Sequence, residues 1–103
     1  MKIIDKNNEI DYINRKYVHV DNNMTLIRVV RILGIFSYQS IYTSRINDFF
    51  ILEPIQGNMN TEDFSLEEVL KDPAINVKHF IGNKQGKYVI DSCVDFFKKY
   101  KRI

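Results

Sequence analysis

Cysteine is nearly missing from this chain of 103 residues, and histidine is rare. The single cysteine, Cys93, excludes an internal disulfide. On the apolar side of a predicted helix, a lone cysteine is typical of a small core residue. The two histidines, His19 and His79, are far apart and have no nearby cysteine or repeated carboxylate spacing. We therefore predict no metal site and no cofactor.

Long apolar runs are also missing. No uncharged stretch approaches the roughly 18 apolar residues that a membrane span needs. The N-terminal segment "MKIIDKNNEID" has no apolar region behind its lysine, which argues against a signal peptide. We therefore expect a cytoplasmic protein. Because 45% of the residues are apolar and 27% are charged, we also expect residues 1–103 to form one folded domain.

The sequence contains none of the residue spacings that are typical of catalytic sites. Paired carboxylates, a cysteine or serine beside a histidine, and a glycine loop for phosphate each have a recognisable spacing, and none is present. A turn accounts for each of the four glycines, Gly34, Gly57, Gly82 and Gly86. We therefore expect that the protein is not an enzyme.

Charge is distributed unevenly, although the net charge is only +2. Residues 53–72 contain six acidic residues and one lysine, whereas residues 78–102 contain seven basic residues and two aspartates. Because the total is small, a polyanion would have to contact a local patch and not the whole molecule.

The first half of the chain changes its pattern at about residue 23. Residues 1–22 are rich in Ile, Tyr and Val, which indicates β structure. From there the polar residues Thr25, Arg28 and Arg31 are spaced three apart, which predicts a helix that ends at Gly34.

Residues 35–47 support two interpretations. In a helix that starts at Ser37, the apolar side chains Tyr38, Ile41, Tyr42 and Ile46 share one face. The opposite face then carries amides and hydroxyls. In an extended backbone, which Ile, Phe, Tyr and Thr prefer, residues 35–43 and 49–55 would form a hairpin. We take the helix as the prediction, so that residues 23–47 form a helix-turn-helix.

The second half divides into an acidic insert, 48–76, and a basic end, 77–103. The insert is predicted to contain a strand, "FFILEPI", and a short helix in "FSLEEVLKDP" that Ser65 caps and Pro73 stops. The runs "VKHFI" and "KYVID" flank "GNKQG" and predict a β-hairpin. Asp91 or Ser92 then caps a terminal helix that buries Cys93, Phe96, Phe97 and Tyr100.

This order of elements resembles a winged helix-turn-helix, in particular the small DNA-binding proteins of the excisionase and MerR-like group. The matching positions cover roughly half of the chain, and they are Leu33, Gly34, Ile35, Gly86, Tyr88, Ile90, Asp91, Val94 and Phe97. The resemblance implies an α+β fold class: a small single domain with an N-terminal β segment, a basic β-hairpin wing and a C-terminal helix.

The resemblance also implies that residues 37–47 enter the major groove of double-stranded DNA while the wing contacts its backbone. Amides, arginine and hydroxyls suit base edges, and lysines suit phosphates. The predicted DNA-binding residues are Gln39, Ser40, Thr43, Arg45, Asn47, Lys78, Asn83, Lys84 and Lys87. Members of the group serve as regulators or as recombination or packaging factors of phages and mobile elements. They usually bind in more than one copy, which implies a homo-oligomer.

A second interpretation is a protein-binding module. The acidic segment 62–72 could mimic phosphates and occupy the basic cleft of a nuclease toxin, as an inhibitor or immunity protein does. The residues expected to make that contact are Glu62, Asp63, Glu67 and Glu68.

Overall fold

The computed structural model describes residues 9–57 and 64–103 and shows a chain made mainly of β-strands. In chain order the elements are α1 (Glu9–Tyr12), β1 (Lys16–Val20), β2 (Leu26–Gln39), β3 (Ile46–Gly57), β4 (Phe64–Ser65), α2 (Leu66–Val69), β5 (Ile75–Phe80), β6 (Lys87–Ser92), α3 (Cys93–Lys99) and β7 (Tyr100–Arg102).

The strands form one antiparallel sheet in the order β4, β6, β3, β2, β1 and β7. The central strand β2 pairs with β3 along most of its length. On its other edge β2 pairs with β1 over residues 26–31 and with β5 over residues 34–38. The strands β1 and β5 therefore lie end to end beside β2.

The helix predicted to end at Gly34 is wrong, because residues 26–34 belong to β2. Their β-branched side chains, such as Val29, Val30 and Ile32, favour an extended backbone over a helix. Gly34 does not end a helix but lies inside the strand. The predicted second helix, 37–47, is likewise wrong: β2 continues to Gln39, and β3 begins at Ile46. The alternative of a hairpin is closer to the structure, although its strands are β2 and β3 and residues 40–43 belong to the turn.

The predicted wing is also wrong. The strands β5 and β6 do not pair with each other, because β5 pairs with β2 whereas β6 pairs with β3 and β4. The segment 81–86 is thus a crossover that passes over β2 and β3. It is held there by the backbone N–H of Asn83, which donates to the Tyr88 hydroxyl at 2.9 Å.

Hydrophobic residues fill two cores, one on each face of the sheet. The α3 core contains Phe96, whose ring lies 4.9 Å from that of Phe50. The α2 core contains Leu66 from α2 and Phe36 and Ile51 from the sheet. Because both faces of β2 are covered, residues 32–37 are buried without alternation.

The two ends of the chain differ from the prediction as well. Residues 1–8 lie outside the described residues, and residues 9–12, which were predicted as β, form the helical turn α1. Ser92 caps α3 by accepting from the Asp95 N–H at 3.1 Å, but the helix ends at Lys99 and β7 follows it.

The molecule is therefore a mainly antiparallel β protein, and the predicted α+β winged helix-turn-helix fold class is wrong. In the described part of the chain, no helix has the length and apolar character needed to cross a membrane.

Candidate functional site

The tip of the β2–β3 hairpin, residues 40–46, presents apolar side chains to solvent. Ile41 is 80% exposed, Tyr42 is 90% exposed and Ile46 is 64% exposed. Burial of such side chains is favourable, so soluble proteins rarely group them at one exposed point unless another molecule covers them. We call residues 40–46 the hairpin tip.

The backbone of the hairpin tip is held by its own hydrogen bonds. The Ser40 N–H donates to the Arg45 carbonyl at 3.0 Å, and the Ser44 N–H donates to the Ser40 carbonyl at 2.9 Å. Ser44 adopts a positive φ of 58°, which closes the turn. The loop therefore holds Ile41 and Tyr42 in a defined position.

Two hydroxyl groups strengthen this loop. The Ser40 Oγ accepts from the backbone N–H groups of Tyr42 and Thr43, at 3.2 and 3.4 Å. The Thr43 Oγ1 accepts from the Arg45 N–H at 3.3 Å. Serine and threonine commonly satisfy turn backbones in this way. These oxygens serve the fold of the loop, which was not the role that the sequence suggested for them.

A groove of about 860 Å³ runs beside the hairpin tip. One wall comes from the hairpin, and the other comes from residues 72–74, which connect α2 to β5, and from Asn76 in β5. The two walls are joined, because the Gln39 N–H donates to the Ala74 carbonyl at 3.1 Å. Asp72 orders the second wall by accepting from the Ala74 N–H at 2.9 Å.

Acidic groups lie next to this groove. Asp72 lines it, and Glu67 and Glu68 are exposed in the first turn of α2. The other two residues predicted for a protein contact, Glu62 and Asp63, lie outside the described residues. Asp72 is thus the acidic residue that lines the groove, and Glu67 and Glu68 precede it in the chain by five and four residues.

The residues predicted to read DNA separate into two groups. Gln39, Ser40, Thr43, Arg45 and Asn47 do lie together, but on the hairpin and not on a helix. The crossover residues Asn83 and Lys84 follow Ile81, whose N–H bonds the Leu33 carbonyl. Leu33 is six residues from Gln39, or about 20 Å along the strand.

The remaining predicted residues have structural partners or lie apart from the tip. Lys78 forms an ion pair with Asp48 at 3.2 Å across β2. The Asn83 Oδ1 accepts from the Gln85 N–H at 2.9 Å, which shapes the crossover. Lys87 is exposed at the start of β6. The structure therefore places the predicted residues in separate parts of the molecule.

The sequence interpretation missed the exposed apolar pair because it placed Tyr38, Ile41 and Tyr42 on a buried helix face. A signal for the turn was present: "SIYTSR" is rich in Ser and Thr and lies between two β-prone runs. Comparison with protein-family models, curated proteins and solved structures finds no match to this chain.

Proposed function

We propose that this protein is a non-enzymatic protein-binding module, an inhibitor or immunity protein, that docks on a partner protein through the hairpin tip. The observation that carries the proposal is the exposure of Ile41 and Tyr42 on a loop held by its own hydrogen bonds. Tyrosine is among the residues that most often dominate binding energy at protein interfaces.

Preorganisation makes this loop suited to binding. A flexible loop loses conformational entropy when it docks, whereas a loop that is already held in place loses less. The Ser40 and Thr43 hydroxyls hold the hairpin tip before any partner arrives. The partner would supply an apolar pocket for Ile41 and Tyr42 and would bury the groove beside them.

The charge beside the tip points to a partner surface that is basic around its apolar pocket. Asp72 lines the groove, Glu67 and Glu68 are exposed in the helix that precedes it, and opposite charges across an interface speed association. A nuclease toxin has such a basic surface because it binds phosphates. We place this encounter in the cytoplasm.

Major-groove reading of DNA by this surface is less well supported. The Ser40 and Thr43 hydroxyl oxygens already accept backbone N–H groups, and Arg45 is the one basic residue of the tip, 40–46. Ile41 and Ile46 would lie against charged phosphates, where their side chains contribute little to the binding free energy.

The test is partner capture in the cells that produce the protein, with a photo-crosslinking amino acid in place of Ile41. The crosslinked protein is identified and its affinity is measured for the wild-type chain and for Ile41→Ser with Tyr42→Ser. We expect about 30-fold weaker binding for each anchor that is removed.

The matched control is Val94→Ser with Ile103→Ser, which alters two other exposed apolar side chains, 50% and 72% exposed, in α3 and at the C-terminus. This control variant should bind the partner as the wild type does. An equal loss of affinity in both variants, or wild-type affinity in the tip variant, would show that the hairpin tip is not the docking site.

A further inference from the structure

The sheet face opposite α3 carries cations around a group of valines at the β1 end of β2. Tyr17 belongs to the α3 core, so the residues on either side of it in β1 point to the opposite face. On that face Val18 lies between Val29 of β2 and Lys101 of β7, and Lys16 lies opposite Arg31. We call six residues the basic sheet face, and they are Lys16, Val18, Val20, Val29, Arg31 and Lys101.

The basic sheet face lies outside both hydrophobic cores. Among the described residues, α3 covers the other face of these strands, and α2 lies on the same face but farther along, with Phe36 and Ile51. The three valines are half-buried, and Leu26, which lies opposite Val20, is 39% exposed. Apolar side chains in the middle of a sheet are usually covered by a helix or a second sheet. No helix or strand of the described chain supplies that cover here.

The cations of this face have no strong acidic partner in the described chain. Lys16 and Lys101 are exposed and form no ion pair among the described residues. Arg31 is paired with Glu53, but its Nη1 lies 3.6 Å from Oε1, which is longer than a hydrogen bond. The Arg31 Nε is buried and makes no hydrogen bond within that part of the chain. Carboxylates of another molecule would therefore neutralise three cations here.

We propose that the basic sheet face binds an acidic amphipathic helix of a partner protein. Three adjacent strands, β2, β1 and β7, span about 10 Å, which is the width of one helix with its side chains. An apolar stripe of that helix packs on the valines, as α3 packs on the other face of the sheet. Acidic residues on both sides of the stripe contact Lys16, Arg31 and Lys101, and such opposite charges fix the orientation of the helix.

Two other occupants fit this face less well. A second copy of the chain, related by a two-fold axis, would bring the same three cations against each other. A lipid surface needs apolar side chains that reach about 5–10 Å into the headgroup region, whereas the valines here are half-buried in the sheet. An acidic helix matches both the charge and the apolar area.

This contact goes beyond the docking proposed for the hairpin tip and does not depend on it. Arg31 lies eight residues before Gln39 along β2, or about 26 Å. A molecule with both surfaces can bind two proteins, or two parts of one partner, at the same time.

The experiment is an NMR titration of the ¹⁵N-labelled full chain with two synthetic peptides of about 20 residues, long enough to form an isolated helix. Both peptides carry leucines along one helical face. Glutamates flank that stripe in the acidic peptide, and lysines flank it in the basic peptide. We expect the acidic peptide to bind at least about tenfold more tightly. Its binding should shift the amide signals of residues 16–20, 29–31 and 100–102, and not those of the hairpin tip.

The first test variant is Lys16→Gln with Lys101→Gln, which should bind the acidic peptide about 3- to 10-fold more weakly than the wild type does. Its matched control is Lys71→Gln with Lys98→Gln, which removes two exposed lysines near the ends of α2 and α3. The control should bind the acidic peptide as the wild type does.

The second test variant, Val18→Thr with Val29→Thr, measures the apolar contribution. Threonine keeps the branched shape that a strand favours, so the circular dichroism spectrum should not change. Affinity for the acidic peptide should fall about tenfold. The hairpin-tip variant Ile41→Ser with Tyr42→Ser should bind the peptide normally, so this proposal and the proposed function fail independently.

Four results would overturn the proposal. The first is the absence of amide shifts with the acidic peptide at millimolar concentration. The second is equal affinity for the two peptides, or equal weakening by the two lysine variants. The third is a dimer in sedimentation velocity that Lys16→Gln with Lys101→Gln dissociates, which would make the face a self-contact. The fourth is binding to phosphatidylserine vesicles without binding to the acidic peptide, which would make the face a membrane contact.

Discussion

Gly34 lies against the backbone oxygen of His79, so closely that a Cβ added to Gly34 would be 2.7 Å from that oxygen. The contact brings β5 onto the edge of β2. A side chain at this position would also meet Phe80, whose Cδ1 would be 2.9 Å away. The glycine is therefore needed for close approach of two strands, and not for the end of a helix.

We expect Gly34→Ala to lower the free energy of unfolding by about 1 to 3 kcal/mol, because β5 must move outward to make room for the methyl group. Urea unfolding followed by circular dichroism measures the change. The control Lys84→Ala alters an exposed residue of the crossover and should stay within about 0.5 kcal/mol of wild type. A wild-type free energy of unfolding in Gly34→Ala would mean that β5 does not pack this closely against Gly34.

Ser40→Ala should loosen the hairpin tip, because the Tyr42 and Thr43 N–H groups lose their shared acceptor. We expect amide order parameters of residues 41–44 to fall from about 0.85 toward 0.6, as measured by NMR relaxation. The affinity for the partner should also fall, since the loosened loop would have to become ordered on docking. In Gln39→Ala, which removes no bond of the loop, the order parameters should not change.

Glu67→Lys with Glu68→Lys should slow association of the protein partner, because the charge beside the groove is reversed. The association rate, measured by surface plasmon resonance at two salt concentrations, should lose most of its salt dependence. Lys98→Glu with Lys99→Glu reverses charge on α3, away from the groove, and should leave the rate unchanged. An unchanged rate for the α2 variant would remove the acidic residues from the proposed interface.

His19 should make the fold less stable in mild acid. Burial lowers the pKa of His19 below 6.5, and the charges of Lys99 and Arg28 lower it further, while Asp91 and Asp21 oppose them. The unfolded chain therefore binds a proton at a higher pH than the folded chain does. The stability due to neutral His19 is complete above pH 6.5 and is lost as the pH falls through the folded pKa.

Thermal unfolding of the wild type and of His19→Gln between about pH 5 and pH 8 measures this contribution. The melting temperature of the wild type should fall more steeply below about pH 6.5 than that of the variant. Parallel curves would mean that other groups account for the pH dependence.

Lys16→Glu should stabilise the fold, because it places a carboxylate opposite Arg31 where a second cation now lies. We expect the free energy of urea unfolding to rise by about 0.2 to 1 kcal/mol. Lys84→Glu makes the same change of charge at a position without an opposing arginine and should add no stability. A loss of stability in Lys16→Glu would show that Lys16 and Arg31 do not repel each other in the folded protein.

Local contacts were the part of the fold that could be predicted. The Ser92 cap of α3 involves residues three apart, and the burial of Cys93 and Phe96 follows from their spacing on one short helix. The structure of β2 was not predictable in this way. Its residues are covered on one face by α3 and on the other by α2, so the alternation typical of a strand is absent.

The candidate site shows the same division. The acidic residues Glu67 and Glu68 could be identified from composition alone, and they are exposed as expected. The hairpin tip could not, because Ile41 and Tyr42 have the spacing of a helix face as well as that of a loop between strands. Tyr38 pairs with Asn47 across the hairpin, which excludes the helix. Ile41 and Tyr42 then lie in the turn, where their side chains are exposed.

The sequence by itself determined the chemistry available to this protein: one buried thiol, an acidic middle, a basic end and a backbone rich in β-branched residues. The tertiary structure alone decided where that chemistry lies. Sheet pairing joins residues that are distant in the chain, so it places Lys16 directly opposite Arg31 and separates β5 from β6. Such pairing depends on contacts across the whole molecule, which no local pattern encodes.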